Sequence, residues 1–147
     1  MEFDKEFLDK LFEQAMENPR LRQNFDLRTS SADTSQRMLN ALQPQTEVAI
    51  HRHEKTAETV ICLVGRLEEI IYEEVDEYVY EATSCCDDVI RQKSFKEVSR
   101  QILSPTEGKF GIQIPAGAWH TINVIEPSVI FEAKDGAYNE SGNTTGK

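Results

Sequence analysis

Only three histidines occur in this chain of 147 residues, and their placement restricts how the chain can fold. His51 and His53 lie in the run Val48-Ala49-Ile50-His51-Arg52-His53. Two residues apart on a strand, they point to the same face. Glu58 follows after a short polar break, at the head of the apolar run Val60 to Val64. His120 ends the turn-like segment Pro115-Ala116-Gly117-Ala118-Trp119-His120, and must come from a distant strand folded back across that face. Three imidazoles and a carboxylate form a mixed N/O donor set suited to a divalent first-row transition metal. Histidines scattered on a surface would be the plain alternative, and the strand spacing argues against it.

The rest of the pattern agrees with an all-β fold. From Glu47 onward, short strands are expected between turn residues: Glu47 to His53, Glu58 to Val64, and Leu67 to Tyr72 after a turn at Gly65-Arg66. Phe110 to Ile114, His120 to Ile125 and Val129 to Lys134 complete the set, with Glu126-Pro127-Ser128 separating the last two. Thr59, Ile61 and Leu63 share one face, and Val60, Cys62 and Val64 the other, which suits a sheet packed between layers, as in a jelly roll. Before the barrel, Phe3, Phe7, Leu8, Leu11, Phe12 and Ala15 recur at helical spacing, so residues 1–18 form an N-terminal helix stopped at Asn18-Pro19. Its apolar face would lie on the barrel or on a second subunit. Met38 to Leu42 reads as an edge strand, with a helical turn as the alternative.

At this length the chain is one domain, 1–138, with its barrel core at 46–138. A Gly/Ser/Thr/Asn-rich tail, 139–147, is expected to be disordered. The acidic stretch 73–93 reads as an insertion, an extended hairpin with a solvated charged face; a lid or a dimer arm is the sharper alternative. Sixteen basic against 26 acidic residues give a net charge of −10, which argues against a nucleic-acid partner. No apolar run is long enough for a membrane span, and the acidic N-terminus lacks the apolar core of a secretory signal. Three cysteines, Cys62, Cys85 and Cys86, make a disulfide framework improbable and a reducing cytoplasm the expected setting. Cys62 reads as a small core residue, and Cys85-Cys86 as two free thiols on a loop.

His51, His53, Glu58 and Gly65 fall at the intervals of the first motif of the cupin superfamily, without its leading glycine. Pro115, Gly117 and His120 match its second motif, Pro-x-Gly-x-x-His. The family often has Asn four residues after that histidine; here the position is Val124, and Asn123 would point to the opposite face. A narrower resemblance, to the WbuC-type cupin metalloproteins, rests on Pro19 to Asn24, Gln36 to Pro44, Phe110 to Thr121 and the closing Glu132 to Tyr138. It implies a cupin double-stranded β-helix (a jelly-roll barrel), a bound metal, and an association with bacterial surface-polysaccharide gene clusters.

The expected metal ligands are therefore His51, His53, Glu58 and His120, holding one divalent ion: Fe, Mn, Ni, Co or Zn. Four protein ligands on an octahedral ion leave two positions open, whereas a structural zinc site closes at four and usually recruits Cys. Around them, Arg20, Arg22 and Arg37 could clamp an anionic ligand or form surface salt bridges. Glu132, Lys134 and Tyr138 could include a general acid or base, or serve as a strand-end ion pair and a packed ring. Trp119 could wall the pocket or stack on a sugar, although alternation turns it toward the core; Gln113 is a further candidate for the cavity. Two functions follow. One is a metal-dependent enzyme acting on a small polar metabolite such as a sugar, by isomerisation or by Fe-dependent oxygenation. The other is a non-catalytic, metal-dependent binding or sensor protein. A homodimer is compatible with sheet edges and an exposed helix stripe.

Overall fold

The computed structural model describes residues 1–82, 87–137 and 143–145. One helix, α1 (Lys5–Glu17), precedes strands β1 (Arg22–Asp26), β2 (Ser35–Leu42), β3 (His51–His53), β4 (Glu58–Ala82), β5 (Asp87–Leu103), β6 (Gly111–Ile114), β7 (Trp119–Asp135) and β8 (Asn143–Thr145). All pairings are antiparallel, among the described residues.

Two long strands organise everything else. The second half of β7 lies between β2 and the start of β4, giving the order β1-β2-β7-β4-β6. The first half of β7 lies between β3 and the later part of β4, giving β5-β4-β7-β3-β8. Both long strands pass from one set to the other at the same level, where the register shifts between Cys62 and Leu67. Gly65 sits there at φ 98°, and a Cβ on it would lie 2.3 Å from the Pro127 carbonyl oxygen. Ser128 Oγ accepts from the Arg66 N–H at 3.0 Å and donates to the Glu126 carbonyl at 2.7 Å, which closes the bulge. The residues expected as turns, Gly65-Arg66 and Glu126-Pro127-Ser128, are therefore a facing pair of kinks inside continuous strands. Each turn signal is real, but its partner across the ladder bends the strand without reversing it.

Two apolar clusters result. Leu42, Val60, Cys62, Leu67, Leu103, Ile114, Val124 and Ile130 come from both sets of strands and fill the barrel. Leu39, Ala41 and Val129, on the opposite faces of β2 and β7, pack under Leu11 and Ala15 of α1. Asp4 caps that helix by accepting the Phe7 N–H at 2.9 Å. The helix stripe is thus covered by its own sheet, which removes one of the two grounds for expecting a dimer. No helix among the described residues is long and apolar enough to cross a membrane.

Other expectations change in detail. Met38 to Leu42 belongs to β2, which is interior: β1 pairs with it on the far side and is itself the edge. The strand expected from Glu47 begins only at His51. One face of early β4 is buried, at Val60 and Cys62, while Leu63 and Val64 are exposed. In the acidic stretch, Glu73 to Ala82 pairs with Asp87 to Lys96 as a hairpin, and its strand β5 continues to Leu103. Asn143–Thr145 pairs with β3, so part of the tail expected as disordered forms a strand. Cys85, Cys86 and Tyr138 lie outside the described residues.

Candidate metal centre

The pairing of β3 with β7 sets His51 directly opposite His120, and directly opposed residues turn to the same face. His53, two residues on, joins them. Ring centroids are 4.2 Å apart for His51 and His120, and 5.4 Å for His53 and His120. Glu58 arrives from β4, where it opposes Lys134. The turn before His120 is tied to this group: the Gly117 N–H donates to the His53 carbonyl at 2.8 Å. Gly117 holds φ 80° with open space around it, so the backbone angle alone calls for glycine there.

His51, His53, Glu58 and His120 place one ligand atom each within 4.8 Å of the others. That spread fits ligands around a single ion, since metal–donor bonds of about 2.0–2.2 Å separate opposite donors by roughly 4 Å. The tautomers fit as well. Nδ1 of His51 lies 2.9 Å from the Ala49 carbonyl, and Nδ1 of His120 lies 2.9 Å from the Ala118 carbonyl. A carbonyl can only accept, so each Nδ1 carries its proton and leaves Nε2 as a lone pair. The Nε2 of His120 nevertheless lies 3.2 Å from Glu58 Oε2, and that oxygen is 2.8 Å from His53 Nε2. Lone pairs converging on a carboxylate need a shared cation or an added proton between them. The donor set therefore suits a divalent ion.

The electrostatics prepare the same cluster. Burial, then the neighbouring His120, push the His51 imidazole down to about 4, so its ring is neutral at neutral pH. Burial alone would raise Glu58; the His120 and His53 rings within hydrogen-bond distance, and the charge of Lys134, outweigh it and hold the carboxyl well below its ordinary value. Lys134 Nζ stands 3.7 Å from Glu58 Oε1 and 3.5 Å from His53 Nε2. Glu132 accepts from Asn40 Nδ2 at 2.6 Å, and burial plus the Glu58 charge push it up to about 7.

The cluster faces a cavity of about 380 Å³ whose walls include Arg20, Arg22, Asn24, Asn40, Glu69 and Glu132. A second, wider cavity of about 600 Å³ shares Arg20, Arg22, His51 and Glu132 and adds His53 and Lys134. Other candidates sit elsewhere. Arg37 pairs with Asp33 at 3.1 Å and is absent from the walls of both cavities. Gln113 accepts from Thr59 Oγ1 at 2.7 Å. Trp119 is buried against Phe95, with the Arg52 guanidinium 4.5 Å above its ring, in the packing place that alternation gives it. Asn123 donates to Glu68 on the outer face, while Val124 is core. Two wall residues went unread in the sequence. Asn40 lies in the Met38 to Leu42 segment, whose other residues are apolar. Glu69 was hidden in the acidic pair Glu68-Glu69, although alternation with Leu67 and Ile71 was the available signal that it points inward.

An antiparallel barrel whose two sets of strands share kinked strands, with His-x-His, Glu and a distant His turned inward, is a cupin barrel. Solved structures agree on the fold. The chain is similar to an oxalate decarboxylase of Lactobacillus farciminis, with 15% identity over 84% of this chain and 31% of that one and a TM-score of 0.50. It is similar to CapF solved with an inhibitor, with 15% identity over 83% of this chain and 31% of that one and a TM-score of 0.52. It is also similar to an L-ribose isomerase of Cellulomonas parahominis, with 14% identity over 80% and 62% and a TM-score of 0.52. The chain thus spans 31% to 62% of the length of those proteins. No curated protein matches it by sequence. A family model described as a domain of unknown function, DUF6016, matches residues 3–83, and the chain belongs to that family.

Proposed function

We propose that this cupin binds one divalent transition metal through His51, His53, Glu58 and His120, and uses it to act on a small polar metabolite, a sugar or sugar derivative. The observation that carries this reading is the convergence of four donor atoms within 4.8 Å on a cavity large enough for such a ligand. When bound, the ion would supply Lewis-acid polarisation of a ligand oxygen. The chain's own groups supply the rest. The Ala49 and Ala118 carbonyls orient two imidazoles. Lys134 offsets the Glu58 charge, and Asn40 holds Glu132 beside the cluster. The resemblance to WbuC-type cupins supports a place in bacterial surface-polysaccharide metabolism, and the cysteine usage supports a reducing cytoplasm.

A second reading has an observation of its own. Lys134 lies within reach of both Glu58 and His53, so an ammonium partly satisfies the cluster from within the protein. That favours a binding or sensor protein whose site holds a ligand without turning it over. Elemental analysis of tag-free protein purified without chelator, beside His53→Ala, tests the first reading. Close to one ion per chain in the wild type and none in the variant is expected. No ion in either after reconstitution would reject the metal and leave the binding protein.

A further inference from the structure

Glu69 has no part in that reading, yet it is built into the same wall. On β4 it opposes Ile122, two pairs along the ladder from Ile71 opposite His120. Its side chain therefore turns to the His120 face, roughly 7 Å further along the strand. It is 1% exposed, and its Oε2 has no hydrogen-bond partner. Buried polar atoms are bonded in the great majority of cases, so an orphaned carboxyl oxygen on the wall of a ligand-sized cavity marks a partner from outside the chain. Burial, and then the charges of Glu58 and Glu132, raise its carboxyl well above the ordinary value. A protonated carboxyl both donates and accepts, as an alcohol does.

The same cavity wall carries groups of the opposite charge. Arg20 and Arg22 line both cavities, and neither pairs with a carboxylate among the described residues. Arg22 reaches the Glu47 carbonyl at 3.5 Å, the outer limit of a hydrogen bond. In a chain with 26 acidic residues, two arginines close in sequence have been left without an acid on the wall of a ligand-sized cavity. Arg20 is exposed and Arg22 half-buried, whereas Glu69 is fully buried, so the cationic wall lies nearer solvent than the carboxyl.

We propose that the cavity takes a small polyhydroxy anion, its oxyanion held by Arg20 and Arg22 and a hydroxyl bonded by Glu69 at the buried end. The inference rests on the proposed function only for the metal beside that hydroxyl; the arginine pair and Glu69 discriminate without it. A carboxylate and a phosphate meet the same two guanidinium groups, so the two sources are separated by experiment.

Tag-free full chain, metal-loaded and chelator-stripped, is titrated calorimetrically with gluconate, sorbitol 6-phosphate and neutral sorbitol. At least one anion should bind about tenfold more tightly than sorbitol in both preparations, the effect of one charge-assisted contact. Whichever anion does so names the oxyanion. Arg20→Gln/Arg22→Gln should bring that anion to the level of sorbitol. Glu69→Gln, which keeps a donor and an acceptor, should stay within about threefold, while Glu69→Leu loses about tenfold. The arginine pair, exposed at Arg20 and half-buried at Arg22, tests the charge claim even if Glu69→Leu fails to fold. Equal binding of all three probes, no binding of any, or a preference that survives the double arginine change overturns the proposal. Metal content measured on the same samples separates the two ideas. An anion preference without a bound ion rejects the metal and keeps this inference; a bound ion without the preference does the reverse.

Discussion

At Gly65 two constraints coincide: a backbone angle that L side chains rarely adopt, and a carbonyl oxygen 2.3 Å from where a Cβ would stand. Gly65→Ala is expected to cost at least about 2 kcal/mol in urea unfolding, because the strain adds to a backbone shift at the kink of both long strands. Glu69 makes a different single-residue argument. Its ordinary value is 4.5, and burial with the Glu58 and Glu132 charges raises it in the folded state. Above pH 4.5 the unfolded chain releases that proton while the folded chain keeps it. The unfolded state then binds fewer protons, and stability falls as pH rises toward the raised value. Glu69→Gln lacks this penalty. In chelator-stripped protein, its stability relative to wild type should climb from about pH 4.5 upward. A difference that stays flat from pH 5 to 8 would place an ionised carboxylate at Glu69.

At the scale of elements, the hairpin made by the ends of β4 and β5 is the part least coupled to the core. Tyr78, Tyr80, Val89 and Ile90 are exposed, and none of the barrel core residues lies between Glu73 and Lys96. Ion pairs along it, such as Arg91 with Asp76, are solvent-exposed and contribute little. A variant lacking residues 75–92, rejoined by Asn-Gly, should melt within about 4 °C of wild type, the equivalent of roughly 1 kcal/mol. Unchanged elution in size-exclusion chromatography would remove the dimer-arm idea. Which elements could be read in advance follows the same logic of coupling. The α1 stripe, the β6 strand and the His-x-His strand were legible because one face of each is apolar or chemically distinctive. Strand β1 was not, since Arg22-Gln23-Asn24-Phe25-Asp26 is polar on the face toward the cavity and gains its place only by pairing with β2. The charged residues of β5 hid it in the same way. The unbroken runs of β4 and β7 depend on Gly65 facing Pro127, a relation between residues 62 positions apart that no local pattern contains.

For the whole molecule, the site was more legible than the barrel around it. Three histidines and one glutamate from β3, β4 and β7 meet because those strands are neighbours in a single antiparallel arrangement, so motif and topology determine each other. That arrangement would tie the proposed metal binding to global stability. In the unfolded chain the four donors are dispersed, and an ion that binds the folded form stabilises it by mass action, about 2.7 kcal/mol at a hundredfold excess over its Kd. For a domain of this size the expected rise in Tm is about 5 to 10 °C. His51 and Glu58 are both held in their ligand-ready, deprotonated forms at neutral pH, so the proton competition that weakens many metal sites is small for these two donors. Melting curves at pH 7.5 with and without excess Mn²⁺, Fe²⁺ or Zn²⁺ should show the rise in wild type and in Glu69→Gln. In His53→Ala the rise should vanish, because the remaining donors no longer enclose the ion. A rise that persists in His53→Ala would put the stabilising ion at another site, and the cluster at β3, β4 and β7 would then be a proton-bridged network held by Lys134.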